Sequence, residues 1–454
     1  MKRRNFIQKS GSLVAGTLIS NSILANISGN KEILQKKRVC VVGTGSRFKS
    51  MWGAPVLAEY GDIVEFVGLC DINKGRAEYI KNSLKLNCPL YSDFDLMMKE
   101  LKPDTLIVTS PDYVHHEHII KGMEFGADVI TEKPMTIDEV KCQAILDTEK
   151  KTGKKLTVTF NYRYSPLRQK IYEILSDDNI GEITSVDFNY YLDVYHGADY
   201  FRRWHRLKEN SGSLLVHKST HHFDLMSWWI NSEPAEVFAY GKLDKYGKNG
   251  KFRHTECRTC PHKEKCDFYF DITKDKELVN LYVANEQYDG YKRDGCVYRE
   301  DINIYDQMAV QIKYANNVQA SYSLTAYSPF EGYRIAFNGT TGRVEAWIKE
   351  KQPWHEEPYD EIIYTSNFKG RRVFRIPNNL PGHGGGDARL RKRIFNANTP
   401  DVYNQAAGSR DGSFSILTGI AARKSIETGL PVKIESLTSL KPNAERLKRQ
   451  VIPL

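Results

Sequence analysis

The chain has 454 residues, 41% hydrophobic and 27% charged, with a formal net charge of +9. That length exceeds what one ordinary core supports and points to two domains with appendages. Lys2, Arg3, Arg4 and Lys9 put four of the positive charges in the first 25 residues with no acid among them. No basic helix with interleaved aromatics occurs elsewhere, so nucleic acid is excluded as a partner.

Lys2-Arg3-Arg4-Asn5-Phe6-Ile7 followed by a mildly apolar stretch, Leu13 to Ala25, resembles a twin-arginine export signal. Ser, Thr, Gly and Asn interrupt that stretch, which falls short of the ~20 apolar residues of a stable membrane span. Residues 1–30 therefore read as signal and linker. The expected location is the periplasm, with the cytoplasm as the alternative.

A first domain is expected over 36–160. Val39 to Val42 form the short apolar run of a strand buried on both faces. Gly43-Thr44-Gly45-Ser46-Arg47 follows at once, a turn whose glycines let backbone N–H groups approach a pyrophosphate at a helix N-terminus. Phe48 stands where a third glycine is usual, and a helical stretch runs from Lys49 to Glu59. Val64–Cys70 is a second strand ending at Asp71, a carboxylate placed to accept the hydroxyls of an adenosine ribose and to repel a 2′-phosphate. This favours NAD as cofactor over NADP. Thr105–Thr109 forms a third strand, closed by Ser110-Pro111-Asp112-Tyr113-Val114-His115, and Asp128–Thr131 a fourth, closed by Glu132-Lys133-Pro134. Strands alternating with helices at this spacing give a doubly wound parallel sheet.

The glycine pair, Asp71, the Pro111-Asp112-x-x-His115 turn and above all Glu132-Lys133-Pro134 resemble the glucose–fructose oxidoreductase, inositol dehydrogenase and rhizopine-catabolism family, Gfo/Idh/MocA. The resemblance runs from residue 36 nearly to the C-terminus. It implies an α/β protein: an N-terminal Rossmann sheet plus a C-terminal α+β domain, over 161–435, with a large, mostly antiparallel sheet. It also implies that NAD lies across the strand ends on Gly43, Thr44, Gly45, Ser46, Arg47, Asp71, Pro111, Asp112, His115, Glu132 and Lys133. Phe48 and Asp112, the latter in place of asparagine, depart from the family pattern.

Asn161-Tyr162-Arg163-Tyr164-Ser165-Pro166 resembles the family's crossover into the second domain. Ile183–Tyr195 alternates as a long strand, and the aromatics from Tyr190 to Trp204 either stack on sugar faces or pack the sheet. Ser211–Trp229 carries His217, His221 and Asp224 at i, i+4 and i+7, so one helix would show all three on one face. His221 and Asp224 match the family's histidine and the aspartate three residues later, while His217 replaces its first acid. A near-neutral histidine can take and return an alcohol proton, and a desolvated Lys133 can serve as base or polarise a carbonyl. The candidate catalytic residues are Lys133, His221, Asp224 and His217. The candidate substrate contacts are Tyr162, Arg163, Trp204, His383 and Asp387.

An insertion over 245–300 holds Cys257, Cys260, Cys266 and Cys296, whose spacing fits a structural zinc site or two disulfides, with no catalytic metal expected. Strands follow at Gln307–Tyr314, Val318–Leu324, Tyr333–Asn338 and Arg343–Trp347. Pro381-Gly382-His383-Gly384-Gly385-Gly386-Asp387 is a glycine-rich loop able to approach a ligand closely. Gly412–Thr428 is an apolar-periodic helix, and 436–454 is a tail. Taken together, these features lead to an NAD-dependent oxidoreductase acting on a hydroxyl or keto group of a sugar or glycoside. The alternatives are an NAD-dependent glycoside hydrolase, redox-neutral over each turnover, and a non-catalytic carbohydrate-binding protein. The family's open sheet face implies a homo-oligomer.

Overall fold

Val39, Cys40, Val41 and Val42 are all buried, and they form the middle of a six-stranded parallel sheet. A computed structural model describes residues 35–447 except 178 and 397. The signal-like segment 1–30 and the last residues of the 436–454 tail lie outside the described residues. The sheet comprises β1 (Lys37–Val42), β2 (Val64–Cys70), β3 (Leu90–Tyr91), β4 (Thr105–Val108), β5 (Asp128–Thr131) and β6 (Leu156–Val158), in the order β3-β2-β1-β4-β5-β6. The order reverses between β1 and β4. At such a switch point the crossover helices diverge and leave a crevice beyond the carboxyl ends of the strands. The glycine turn, Asp71, Ser110–His115 and Glu132–Pro134 all fall there.

The second sheet has nine strands: β7 (Ile183–Asp193), β8 (Pro234–Lys242), β9 (Gln307–Tyr314), β10 (Gln319–Ser328), β11 (Glu331–Gly339), β12 (Gly342–Lys351), β13 (Tyr359–Ser366), β14 (Gly370–Pro377) and β15 (Val432–Lys433). Their order is β14-β13-β12-β11-β7-β10-β9-β8-β15. Every ladder is antiparallel except that between β7 and β10, which is parallel. Met308, Val310, Ile312 and Tyr314 alternate inward along β9, with Gln311 and Lys313 outward. The inward faces pack against the helices Pro166–Ser176, Thr220–Ile230 and Ser409–Thr428, where Trp229 meets Phe337 edge-on at 5.6 Å and Trp228 stacks on Tyr172 at 4.7 Å. Burial of such rings supplies roughly 25 cal/mol per Å² of apolar surface. Among the described residues no helix is long and apolar enough to cross a membrane.

Residues 243–306 leave the sheet between β8 and β9. Cys257, Cys260, Cys266 and Cys296 converge there around one small cavity with Phe252 and Phe268. All four are free thiols in this structure. Among the described residues no group of three or more His, Cys, Asp or Glu is arranged to hold a metal. Beside the cluster, backbone bonds join the outgoing and returning arms of the excursion: Cys257 N–H donates to Asp294 O at 2.8 Å and Cys296 N–H to Thr255 O at 3.0 Å.

Candidate active site

The turn after β1 depends on Gly43. Its φ is +90°, and a Cβ there would lie 2.5 Å from the Ser110 nitrogen, so only glycine lets β1 and β4 approach so closely. Asp71 accepts from Thr44 N–H at 2.8 Å and Thr44 Oγ1 at 2.9 Å, which fixes the turn against the end of β2. Phe48, in place of a third glycine, is fully buried and meets Phe66 edge-on at 5.5 Å; the chain passes it in a π-helical turn, Phe48–Gly53, before the helix Ala54–Tyr60.

A cleft of about 810 Å³ runs from this turn to the second domain. One end is lined by Gly43, Gly45, Ser46, Asp71 and Arg76, the other by Lys133, Trp204, His217, Lys218, His221 and His383. Glu132 accepts from Trp52 Nε1 at 2.8 Å and pairs with Arg47 Nε at 2.9 Å, holding the loop that carries Lys133. His115 places one ring nitrogen 2.8 Å from Pro134 O and the other 2.7 Å from Ser110 O. It therefore brackets two strand-end loops, a positioning role that the cofactor-contact expectation did not include.

The single helical face expected for His217, His221 and Asp224 does not form. The helix breaks between Leu214–His217 and Thr220–Ile230. Ser219 N–H reaches back five residues to Leu214 O, and His221 N–H bonds Lys218 O, three residues back. The ladder is thus re-phased, and the His217 carbonyl instead accepts from the Lys133 ammonium at 3.0 Å. His217 Nδ1 lies 2.5 Å from Asp112 Oδ2. The two departures from the family pattern therefore contact each other: the aspartate that replaces asparagine meets the histidine that replaces an acid.

Asp224 faces away from the cleft. It pairs with Arg163 through Nε at 2.8 Å and Nη2 at 2.5 Å, and both side chains are buried. The structure therefore gives Asp224 and Arg163 a place in the core and corrects the expectation that they face substrate. Tyr162 sits behind the site, stacked on His221 at 4.2 Å and covered by the Arg168 guanidinium at 4.0 Å. Trp204 does line the cleft, stacked on His205 at 3.6 Å. His383 is held by Asn161 and Asp387, both at 2.9 Å, in a bend where residues 382–385 all have positive φ. The glycine-rich loop is a fixed left-handed turn that presents His383.

Burial lowers the Lys133 pKa to about 8, with the nearby Lys218 adding to the effect and Asp112 opposing it. Burial and the neighbouring Lys133 bring His217 and His221 well below the usual histidine value, so both are neutral imidazoles at neutral pH. His221 Nδ1 is buried without a partner. His196, Arg203, His205 and Lys218 also line this end and were not anticipated. Lys218 adjoins His217 and His205 adjoins Trp204, but a lone basic residue carries no spacing signal.

A parallel sheet with a switch-point cleft, a glycine turn facing a strand-end carboxylate, and a desolvated lysine beside neutral imidazoles together define a dinucleotide-dependent oxidoreductase. Two family models match the chain: the oxidoreductase family's NAD-binding Rossmann fold over residues 37–160 and its C-terminal alpha/beta domain over 173–434. The chain belongs to the Gfo/Idh/MocA oxidoreductase family. YteT of Bacillus subtilis, whose name assigns it to the oxidoreductases, is 37% identical over 426 residues, covering 88% of this chain and 98% of that one. An inositol 2-dehydrogenase/D-chiro-inositol 3-dehydrogenase of Lactiplantibacillus plantarum is 23% identical over 42% of this chain and 52% of its own length. Levoglucosan dehydrogenase, solved with NADH and L-sorbose, shares the fold with a TM-score of 0.64 at 16% identity, over 88% of this chain and 100% of that chain.

Asp71 gives the first expected result. Asp71→Ser removes the buried carboxylate expected to hold the ribose hydroxyls and leaves Arg76, 3.3 Å away, with Asp289 as its remaining acidic partner. Loss of a charged hydrogen bond costs about 1.5–3 kcal/mol, which is about 10–100-fold in affinity. NADH binding weakens by that factor while NADPH binding changes less, as read by fluorescence titration. An unchanged NADH-to-NADPH ratio would remove Asp71 from the ribose site.

Proposed function

We propose that the protein oxidises a hydroxyl of a sugar or glycoside, or reduces the corresponding ketone, in the cleft between Lys133, His221 and Trp204. The observation that carries this reading is Lys133, a lysine with its pKa lowered to about 8 at the meeting of the strand ends and the second domain. The residues fit NAD: the Gly43 turn leaves no room for a Cβ, and Asp71 is a buried carboxylate in the cleft wall. Bound NAD supplies the hydride acceptor. Lys133 in its neutral form takes the hydroxyl proton, and its ammonium form polarises the carbonyl in the reverse direction. His221, neutral and set against Tyr162, fixes the hydroxyl and can relay the proton. Trp204 offers an aromatic face to a sugar ring. Export to the periplasm belongs to the same reading and rests on Arg3-Arg4.

The glycosidase and carbohydrate-binding alternatives separate from this in one experiment. Purified protein is denatured and the supernatant assayed for NAD(H), and the native protein is incubated with a panel of glycosides. NADH formation, up to the amount of nucleotide the protein carries, is the expected result. Sugar release without net NADH replaces the proposal with the hydrolase, and bound nucleotide with neither activity replaces it with a binding protein.

A further inference from the structure

The excursion 243–306 does not stay on its own domain. Its segment 276–291 crosses to the first domain and lies on the glycine turn and on the helix Lys74–Ser83. The Tyr282 hydroxyl accepts from the Ser46 N–H and donates to Ser46 Oγ, both at 3.1 Å. Glu277 holds Lys49 Nζ at 2.6 Å and the Tyr79 hydroxyl at 2.7 Å. Asn285 O accepts from Asn73 Nδ2 at 2.8 Å. Asp289 pairs at 2.5 Å with Arg76, the same arginine that reaches Asp71. Leu281 is fully buried in the core that also contains Val39, Phe48 and Phe66. Gly75 has no side chain where a Cβ would stand 2.1 Å from Asn285 Oδ1, so the first domain is shaped to receive this segment.

Tyr282, Asp289 and Tyr291 then form cleft wall opposite the strand ends. Backbone bonds from Cys257 to Asp294 and from Cys296 to Thr255 tie the outgoing and returning chain together on either side of the segment, so it is anchored beyond both of its ends and along its length. A dinucleotide in this cleft is bounded on one side by the strand-end loops and on the other by a segment fastened to the glycine turn itself. Glu277, Tyr282 and Asp289 are the contacts that fasten it there.

We propose that residues 276–291 are a cofactor-retaining strap, and that NAD stays bound through successive turnovers because Tyr282, Glu277 and Asp289 hold this strap shut on the glycine turn. The inference rests on the reading of the cleft as the NAD site. A nucleotide that stays is reoxidised in place, by a carbonyl compound entering the substrate end of the cleft.

The test uses the full chain. Protein carrying NADH is chased with excess NAD, and the loss of protein-bound NADH fluorescence gives the release rate. Nucleotide is also counted after gel filtration and denaturation. Wild-type protein keeps about one nucleotide per chain and releases it more slowly than it turns over. Glu277→Gln/Tyr282→Phe/Asp289→Asn, a near-isosteric variant that keeps the packing, releases it at least tenfold faster; Tyr282→Phe alone, the mildest change, gives a smaller acceleration and serves if the triple variant fails to fold. NADH binding with release faster than turnover, or equal release from wild type and Tyr282→Phe, overturns the strap while leaving the NAD site intact. No binding of NADH to the wild-type protein overturns both.

Discussion

Lys133→Ala lowers kcat by about 10²–10⁴-fold, the range general acid–base catalysis contributes, while the protein still binds NADH. The separation follows from where the side chain sits. Its ammonium bonds the His217 carbonyl across the cleft, whereas the glycine turn and Asp71 lie at the other end. The wild-type pH profile carries the same information. With the lysine pKa lowered to about 8, the neutral base grows with pH, so the rate of alcohol oxidation rises up to tenfold per pH unit below that value and levels off above it. Ketone reduction needs the ammonium form and shows the opposite limb, falling above about 8. Lys133→Arg keeps a cation but supplies no base at any accessible pH. It binds NADH and does not oxidise. Oxidation by Lys133→Arg at the wild-type rate would move the base elsewhere, with His221 and His217 next to be tested.

What the sequence revealed and what it hid divide along physical lines. The parallel sheet was legible because a strand covered on both faces must be an apolar run, as in Val39–Val42 and Thr105–Val108, and because its ligand-facing ends carry glycine, Asp71 and Glu132-Lys133-Pro134. β3 escaped notice because two residues, Leu90 and Tyr91, carry no period. β13 and β14 escaped because they form the sheet's edge, where Arg371, Arg372 and Arg375 discourage further pairing and dilute the alternation. Counting by i+4 and i+7 failed at Lys218–Ser219 because a shift in hydrogen-bond phase leaves no mark in composition. The strap was illegible for a different reason. Its docking residues, Glu277, Tyr282, Asn285 and Asp289, look like an ordinary polar surface until the fold brings the glycine turn beneath them.

Asp224 is where the two readings differ most sharply, and the outcome there is a loss of stability rather than of chemistry. The resemblance placed this residue among the catalytic groups; the structure gives both of its oxygens to Arg163. Arg163 Nη2 also reaches Asp411 at 2.8 Å, and the guanidinium is almost entirely removed from solvent. Nη1 already lacks a partner. Asp224→Ala therefore leaves a buried cation sharing one partly exposed carboxylate, and breaking such a pair from one side costs about 3–5 kcal/mol. Burial raises the Asp224 pKa and Arg163 opposes that rise, so a neutral Asp224→Asn, which keeps the shape and one acceptor, lies between wild type and alanine. The midpoint of denaturant unfolding falls in the order wild type, Asn, Ala. Activity per folded molecule, normalised by the nucleotide bound, changes by less than tenfold in both variants. A stable Asp224→Asn protein with kcat reduced a hundredfold or more would return this carboxylate to the reaction and show that the Arg163 pair opens when substrate binds.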